Sequence, residues 1–430
     1  MLIANSVISL SSSVQPTAGL PVFHKPSIFC TMRSNITQRF NKSDRFIWLV
    51  TFLYLIVSNT INGSGTVLFG FTFLVLLFSN FKLKFYKYHI FTLQFCLYCY
   101  ATTFWAFNGR YTISVCNAIF MTLICLFVFY EYWKDVQDIH ILLRIIMWAG
   151  FFVVIYTYYY YGVEDIVTAE GEDRLGNEFN NVNTIAMMTA ITLIINFYLR
   201  LYVKKDWSVL IWIPCLLIIG ATQCRKAFVM LIMGIFILYY YKQKMERKGD
   251  MLLPITKILV FVLIGIVILL VLGHTNVFSG LYNRMGGLIS SVTGGEDIDA
   301  SSQVRNTFFE IGWRQFLQNP IVGIGMNNSM IILSQQTGRV TYLHNNYIEI
   351  ASSGGIIGLI SYYSMFVYLL SKEIKYIRLD SSAVLIVTWI LIRFVTDWGA
   401  VSYSSRTTYL YLMVFFIHLD NMKKKYPRIR

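Results

Sequence analysis

Residues 301–360 read SSQVRNTFFEIGWRQFLQNPIVGIGMNNSMIILSQQTGRVTYLHNNYIEIASSGGIIGLI. The stretch opens as a polar run around Arg305 and passes a turn marked by Asn319, Pro320, Gly323 and Gly325. It then reaches Leu343-His344-Asn345-Asn346, directly before an apolar segment carrying Gly354, Gly355 and Gly358. Within its own length it passes from water into hydrocarbon. A permanently charged guanidinium, a titratable imidazole and a glycine-rich helix meet at one bilayer surface.

The rest of the chain supports that reading. Of its 430 residues, 56% are hydrophobic and 13% charged, against about a quarter charged in a soluble domain. Apolar runs of about 17–22 residues match the hydrocarbon thickness. Backbone polar groups in lipid must pair within their own segment, so each run reads as a helix. Twelve spans are predicted, at 46–62, 66–81, 88–106, 112–132, 139–161, 183–203, 207–222, 227–241, 252–273, 346–370, 382–399 and 407–419. The expected fold is all-α: a polytopic membrane protein with about 12 transmembrane helices and one long extracytoplasmic loop.

The net charge of +14 would suggest nucleic acid in a soluble protein. Here Lys and Arg alternate between loops, concentrated at Lys82, Lys84, Lys204, Lys205, Arg247, Lys248, Lys372, Lys375 and Lys423-Lys424-Lys425. By the positive-inside rule this places both termini in the cytoplasm, and no nucleic-acid partner is expected. The domain layout follows: a disordered cytoplasmic tail over 1–45, helices one to nine over 46–273, the extracytoplasmic loop over 274–345, and helices ten to twelve with a basic tail over 346–430. The tail lacks a charged region followed by a sustained apolar core, so it does not read as a signal peptide. Met32-Arg33 resembles a natural cytoplasmic start better than Met1, and residues 1–31 are expected to be dispensable. The seven cysteines sit mostly in or beside apolar runs and read as small buried thiols rather than a disulfide framework or a metal site.

Several outward-facing groups carry two readings each. The tyrosines at 156–161 form an interfacial aromatic belt or a platform for sugar rings. Arg174 pairs with Glu172 or Asp173, or it meets a ligand. Asn183 is a candidate cap for the sixth span. Arg225 and Lys226, at the tip of the hairpin between spans seven and eight, snorkel to lipid phosphate or hold an anion. Asp297 and Asp299 form either a solvated loop or a D-x-D metal pair, and the former is expected. Arg393 and Asp397 are spaced i,i+4 and can neutralise each other. Gly354 and Gly358 form a GxxxG, read as close helix packing. His344 caps or packs a helix start, or it acts as a base.

Outward arginines are informative because positive-inside bias makes them scarce. Guanidinium grips phosphate oxygens with two parallel bonds. Arg174, Arg225 and Arg305 therefore suit a diphosphate at headgroup level, where they would stabilise the charge that grows as a glycosyl–phosphate bond breaks. His344 beside them is placed to take a proton from an attacking sugar hydroxyl.

The pattern Arg305…Pro320-x-x-Gly323-x-Gly325…His344-Asn345-x-Tyr347-x-Glu349…Gly354…Gly358 resembles the signature of the O-antigen polymerase and ligase superfamily (Wzy-type polymerases and WaaL-type ligases). Upstream, Arg174-x-Gly176…Asn183-x-x-Ala186 and Cys224-Arg225-Lys226-Ala227 resemble that family's other two arginine motifs, with Cys224 where the family often has Ser. The resemblance implies a GT-C-like bacterial glycosyltransferase without metal or cofactor. It would move an oligosaccharide from undecaprenyl diphosphate to an acceptor sugar at the outer face of the inner membrane. It implies that Arg225 and Arg305 hold the diphosphate and that His344 activates the acceptor, with Arg174, Lys226 and Asn345 binding substrate. The implied partners are the undecaprenyl diphosphate-linked oligosaccharide, membrane lipid and a chain-length regulator protein. The Cys-Arg-Lys-Ala and His-Asn-Asn-Tyr-Ile-Glu forms look closer to polymerases of O-antigen or capsule. Polymerase is therefore the leading expectation, a ligase acting on lipid A-core the alternative, and a flippase the more distant one. A transporter would carry polar residues along several spans and unwound helices at mid-membrane.

Overall fold

The computed structural model describes residues 41–60, 64–79, 81–168, 175, 181–246, 275, 278–282, 284–286 and 300–428. Every regular element among these is helical. The helices are α1 (Lys42–Thr60), α2 (Gly65–Phe78), α3 (Lys87–Ala101), α4 (Gly109–Trp133), α5 (Ile139–Tyr161), α6 (Val163–Thr168), α7 (Val182–Tyr198), α8 (Trp212–Ala221) and α9 (Arg225–Glu246). After the undescribed stretch come α10 (Ala300–Gln318), α11 (Ser329–Thr337), α12 (Asn346–Tyr376), α13 (Ser381–Thr396) and α14 (Arg406–Lys425).

Short Asx side chains open many of these helices, accepting the orphan N–H groups of the first turn. Asn108 caps α4, Asp138 caps α5, Asn345 caps α12 and Asp380 caps α13. The cap of α7 is Asn181, which accepts from the Asn183 N–H at 2.9 Å. The expected cap, Asn183, is itself inside the helix.

Packing is organised around α14. The other long helices touch in sequence as a closed ring: α1 on α5, α5 on α7, α7 on α9, α9 on α13, α13 on α12, α12 on α3, α3 on α4, α4 on α2, and α2 on α1. α14 runs inside, against α4, α12, α3 and α13. Every residue from Thr408 to Leu419 is buried, the pattern of a helix apolar on all sides. Phe73, Leu77, Ile90 and Ile124 of the ring point outward and are exposed, as lipid contact requires. Polar bonds fix the register of α14: Tyr88 donates to the Tyr409 carbonyl at 3.1 Å and Tyr130 to Asp420 at 2.7 Å.

Eleven of the twelve expected spans fall on described helices; the twelfth, 252–273, lies outside the described residues. Four segments are long and apolar enough to cross a membrane by length and composition: 109–133, 139–161, 182–203 and 346–376. The first helix begins at Lys42, inside the expected tail. Six cysteines, from Cys96 to Cys224, are buried free thiols, as expected for packing residues. Arg393 and Asp397 pair at 3.5 Å. In the tyrosine run, Tyr158 donates to the Pro214 carbonyl at 2.9 Å, while Tyr159 is exposed.

The segment before α12 is more than a connecting loop. α10 packs along α12, and α11 closes the angle between them. Phe308, Ile311, Leu333, Leu343 and Ile348 form a small hydrophobic core of their own. That core lies directly beneath His344, because Leu343 and Ile348 belong to it.

Candidate active site

The site is built at the entrance of α12, and α12 is broken. Gly355 adopts φ 61°, ψ −165°, a conformation that glycine alone enters freely. The break releases backbone groups on both sides, and the Pro320–Gly325 turn takes them up. The N–H groups of Ile324 and Gly325 donate to the Ser352 and Ser353 carbonyls at 3.0 and 2.9 Å. In return the Ile356 and Ile357 N–H groups donate to the Pro320 and Ile321 carbonyls at 2.9 and 3.3 Å. The fit leaves no room for a side chain: a Cβ on Gly355 would lie 2.2 Å from the Ile321 carbonyl oxygen. Irregular backbone in a membrane helix is tolerated where protein surrounds it. Here the turn surrounds it and pairs the freed backbone groups.

α3 and the segment after it brace the turn from outside. Trp105 donates to the Val322 carbonyl at 3.3 Å and the Phe107 N–H to the Ile324 carbonyl at 3.2 Å. The expected close packing at Gly354 and Gly358 is present. A Cβ at either would lie 3.4 or 3.2 Å from the Tyr98 ring of α3, whose hydroxyl donates to the Gly354 carbonyl. α3 and the segment after it, which carried no chemical signal in the sequence, thus support the site.

His344 stands just before the α12 cap, at φ 57°. That is the left-handed region, costly for a side chain with a Cβ and kept only where the surroundings dictate it. Both neighbours are held. The Leu343 N–H donates to Glu349 Oε2 at 2.9 Å, and Ser329 donates to Glu349 Oε1. On the other side, Asn345 Oδ1 accepts from the N–H groups of Tyr347 and Ile348 at 3.0 and 3.2 Å. The half-buried imidazole lies parallel to Phe308 of α10, centroids 6.0 Å apart, and 4.3 Å from the Tyr342 ring. Neither ring nitrogen is hydrogen-bonded to a described residue. Burial, then the cationic Arg305 and Lys226, push its pKa from 6.5 down to about 4. The ring is therefore neutral at neutral pH, with its nitrogens available.

The cations converge from two elements. Arg305 lies on α10 in the turn before Phe308, and its charge also acts on Tyr342. Lys226 lies in the first turn of α9 and donates to the Gly399 carbonyl. Next to it, Arg225 is 8% exposed and donates to the Arg284 carbonyl at 3.0 Å. The Arg284 guanidinium in turn donates to the Gln223 carbonyl at 3.4 Å.

Of the predicted residues, the structure thus brings His344, Arg305 and Lys226 within electrostatic reach of one another, with Arg225 adjacent to Lys226. Asn345 is in place, but its oxygen serves as the helix cap, leaving only the amide nitrogen for a ligand. Arg174, Asp297 and Asp299 lie outside the described residues. Three contributors were missed. Arg284 had a signal, being an arginine on the same long loop that singled out Arg305. Glu349 was part of the quoted motif without a role. Asn346 had none: it receives the Ser402 and Tyr403 N–H groups at 2.8 and 3.0 Å and donates to Asp397 at 3.2 Å. Asp397 also accepts from Tyr363 at 3.0 Å and Ser402 at 2.7 Å. This buried network ties the mouth of α12 to the loop after α13.

A cavity of about 100 Å³ lies among α7, α9, α13 and α14, lined by Arg393, Thr396, Ser402, Met230 and Trp389 among others. His344, Arg305 and Lys226 do not line it. Among the described residues no three His, Cys, Asp or Glu side chains gather at metal-ligand distances. No curated protein matches the chain. Residues 207–363 do match the family model Wzy_C, described as O-antigen ligase. The matched segment, under half of the chain, contains Arg225, Lys226, Arg305, His344 and the broken helix, and the likeness is consistent with the O-antigen polymerase and ligase superfamily.

Proposed function

We propose that the chain is a polysaccharide polymerase, of O-antigen or capsule type, working at the outer face of the bacterial inner membrane. In this reading all twelve spans cross the bilayer, both termini are cytoplasmic, and the site around His344 faces outward. Arg225, Arg305 and Lys226 grip the diphosphate of an undecaprenyl-linked glycan, with Arg174 as a further contact. His344 takes the proton from a hydroxyl of the acceptor sugar as that oxygen bonds to the donor's anomeric carbon. The anomeric carbon–phosphate oxygen bond breaks, and the diphosphate leaves with the electron pair, its growing charge met by the arginines. Guanidinium and ammonium groups supply that stabilisation, so no metal is assigned. Activity that persists in EDTA is expected; loss restored by Mn²⁺ would bring Asp297 and Asp299 into the site. A chain-length regulator is the protein partner this activity calls for.

The observation that carries the reading is His344: strained in backbone, clamped on both sides, unbonded at its ring nitrogens and flanked by Arg305 and Lys226. With both ring nitrogens open, the imidazole can accept a proton from a bound hydroxyl. The family description favours one alternative, a ligase that delivers the glycan to lipid A-core. Both enzymes would use the same donor and the same residues, so the acceptor decides. Deletion of a polymerase leaves single repeat units on the surface carrier and removes the ladder of longer chains. Deletion of a ligase leaves long chains on undecaprenyl diphosphate and bare lipid A-core. We expect the first pattern; the second would replace polymerase with ligase.

A further inference from the structure

Glu349 has no part in the transfer chemistry just described, yet it is a carboxylate 1% exposed in the first turn of α12. Burying a carboxylate is expensive unless its oxygens are hydrogen-bonded. Both are: Oε2 receives the Leu343 N–H at 2.9 Å and Oε1 receives the Ser329 hydroxyl. The first bond falls on the peptide immediately before His344. The second comes from α11, whose position is otherwise set by the small core of Phe308, Ile311 and Leu333. His344 itself is held at φ 57°, and relaxation of that backbone would swing the ring out from between Phe308 and Tyr342. The charges that act on the imidazole are those of Arg305 and Lys226; the Glu349 carboxylate is turned to the backbone.

We infer that Glu349 is a positioning residue of this site: by tying the Leu343 N–H to Ser329 of α11, it holds His344 in its strained conformation and fixes where the imidazole points. The inference rests on the reading of His344 as the base. It makes Glu349 act through geometry rather than through charge. A glutamine can do the same, its oxygen accepting the Leu343 N–H and its amide turned to Ser329 Oγ. An alanine leaves both donors stranded.

The test uses full-length protein and lipid-linked repeat units extracted from cells deleted for the gene. Glu349→Ala is expected to lower kcat about 100-fold, the scale of an ångström-size misplacement of a catalytic group, with KM for the repeat unit little changed. Hydrogen exchange in peptides covering 342–348 should rise in the same variant. Glu349→Gln should keep both the exchange protection and most of kcat, with the acid limb of its pH profile where the wild type has it. Near-normal kcat in Glu349→Ala despite raised exchange would overturn the inference. So would a glutamine variant that keeps its protection yet loses kcat, because charge would then matter rather than position. If Glu349→Ala does not fold, the glutamine variant alone decides. His344→Ala run alongside separates the two levels: full activity there removes the histidine as base, a different result from failure at Glu349.

Discussion

Two histidines in this molecule have opposite surroundings. His418, in the middle of buried α14, lies 3.0 Å from Glu373 at the far end of α12 and 3.7 Å from Asp380 in the following turn. His344 lies at the mouth of α12 against aromatic rings, with Arg305 and Lys226 as its charged neighbours. The first is tied by two carboxylates and joins three segments of chain. The second has its backbone tied and its ring free. Satisfying a polar group removes it from chemistry, whereas holding its backbone while leaving its nitrogens open keeps it ready. The proposed role of His344 as a base rests on this contrast: both its ring nitrogens are open, whereas Nδ1 of His418 is bonded to Glu373.

The sharpest way to break this contrast is to remove each ring in turn. His344→Ala should lower the transfer rate by about 10²–10⁴, the usual worth of a general base, with little change in thermal unfolding in detergent. His418→Ala should leave the rate per folded molecule near normal. It should cost about 3–5 kcal/mol of stability, because it strands a buried carboxylate. Reversed outcomes would exchange the two roles.

Charge and geometry separate next. Arg225→Lys and Arg305→Lys keep the charge and lose the planar fork. A lost charge-assisted hydrogen bond of about 1.5–3 kcal/mol corresponds to roughly a 10- to 100-fold fall in kcat/KM. Normal polymer length and rate in both lysine variants would make the arginines steering charges only. Glycine gives a smaller, internally controlled effect. Gly355 and Gly338 both have positive φ, but a Cβ at Gly338 meets nothing within 4 Å. Gly338→Ala should cost about 1–2 kcal/mol, and Gly355→Ala measurably more, read as the difference in unfolding temperature. Equal costs would mean that the Pro320–Gly325 turn yields easily.

The smallest effect is a displacement in pH. Burial and two cations depress His344, so its neutral form persists below the ordinary 6.5, down to about pH 4. The limb of kcat/KM attributable to this group should therefore fall only as pH drops well below 6.5. Bound diphosphate offsets the cations, so the corresponding limb of kcat should lie at higher pH. Lys226→Ala removes one of the cations and should move the kcat/KM limb upward. A limb at 6.5 in the wild type, unmoved by that substitution, would mean that Arg305 and Lys226 do not reach the ring.

Much of this was legible in the chain because the bilayer is a severe solvent. Long apolar runs have one way to pair their backbone, so eleven of the expected intervals coincide with helices. Outward arginines and a histidine at a helix mouth stand out because positive-inside bias and desolvation make them costly, so Arg225, Lys226, Arg305 and His344 were singled out by type and place. Tertiary structure alone decided how they are held. Gly355 lies inside the Gly354-x-x-x-Gly358 motif and shows no break in sequence; only the turn at Pro320–Gly325, more than a helix away, makes it a socket. Glu349 and Asn346 read as ordinary residues of a helix start, and their partners Ser329, Asp397 and Ser402 come from other segments. Hydropathy and motif spacing are local properties, and a hydrogen bond between distant segments leaves no trace in either. The sequence therefore determined which segments are helical and which polar groups flank them, and the fold determined how the backbone around His344 is held.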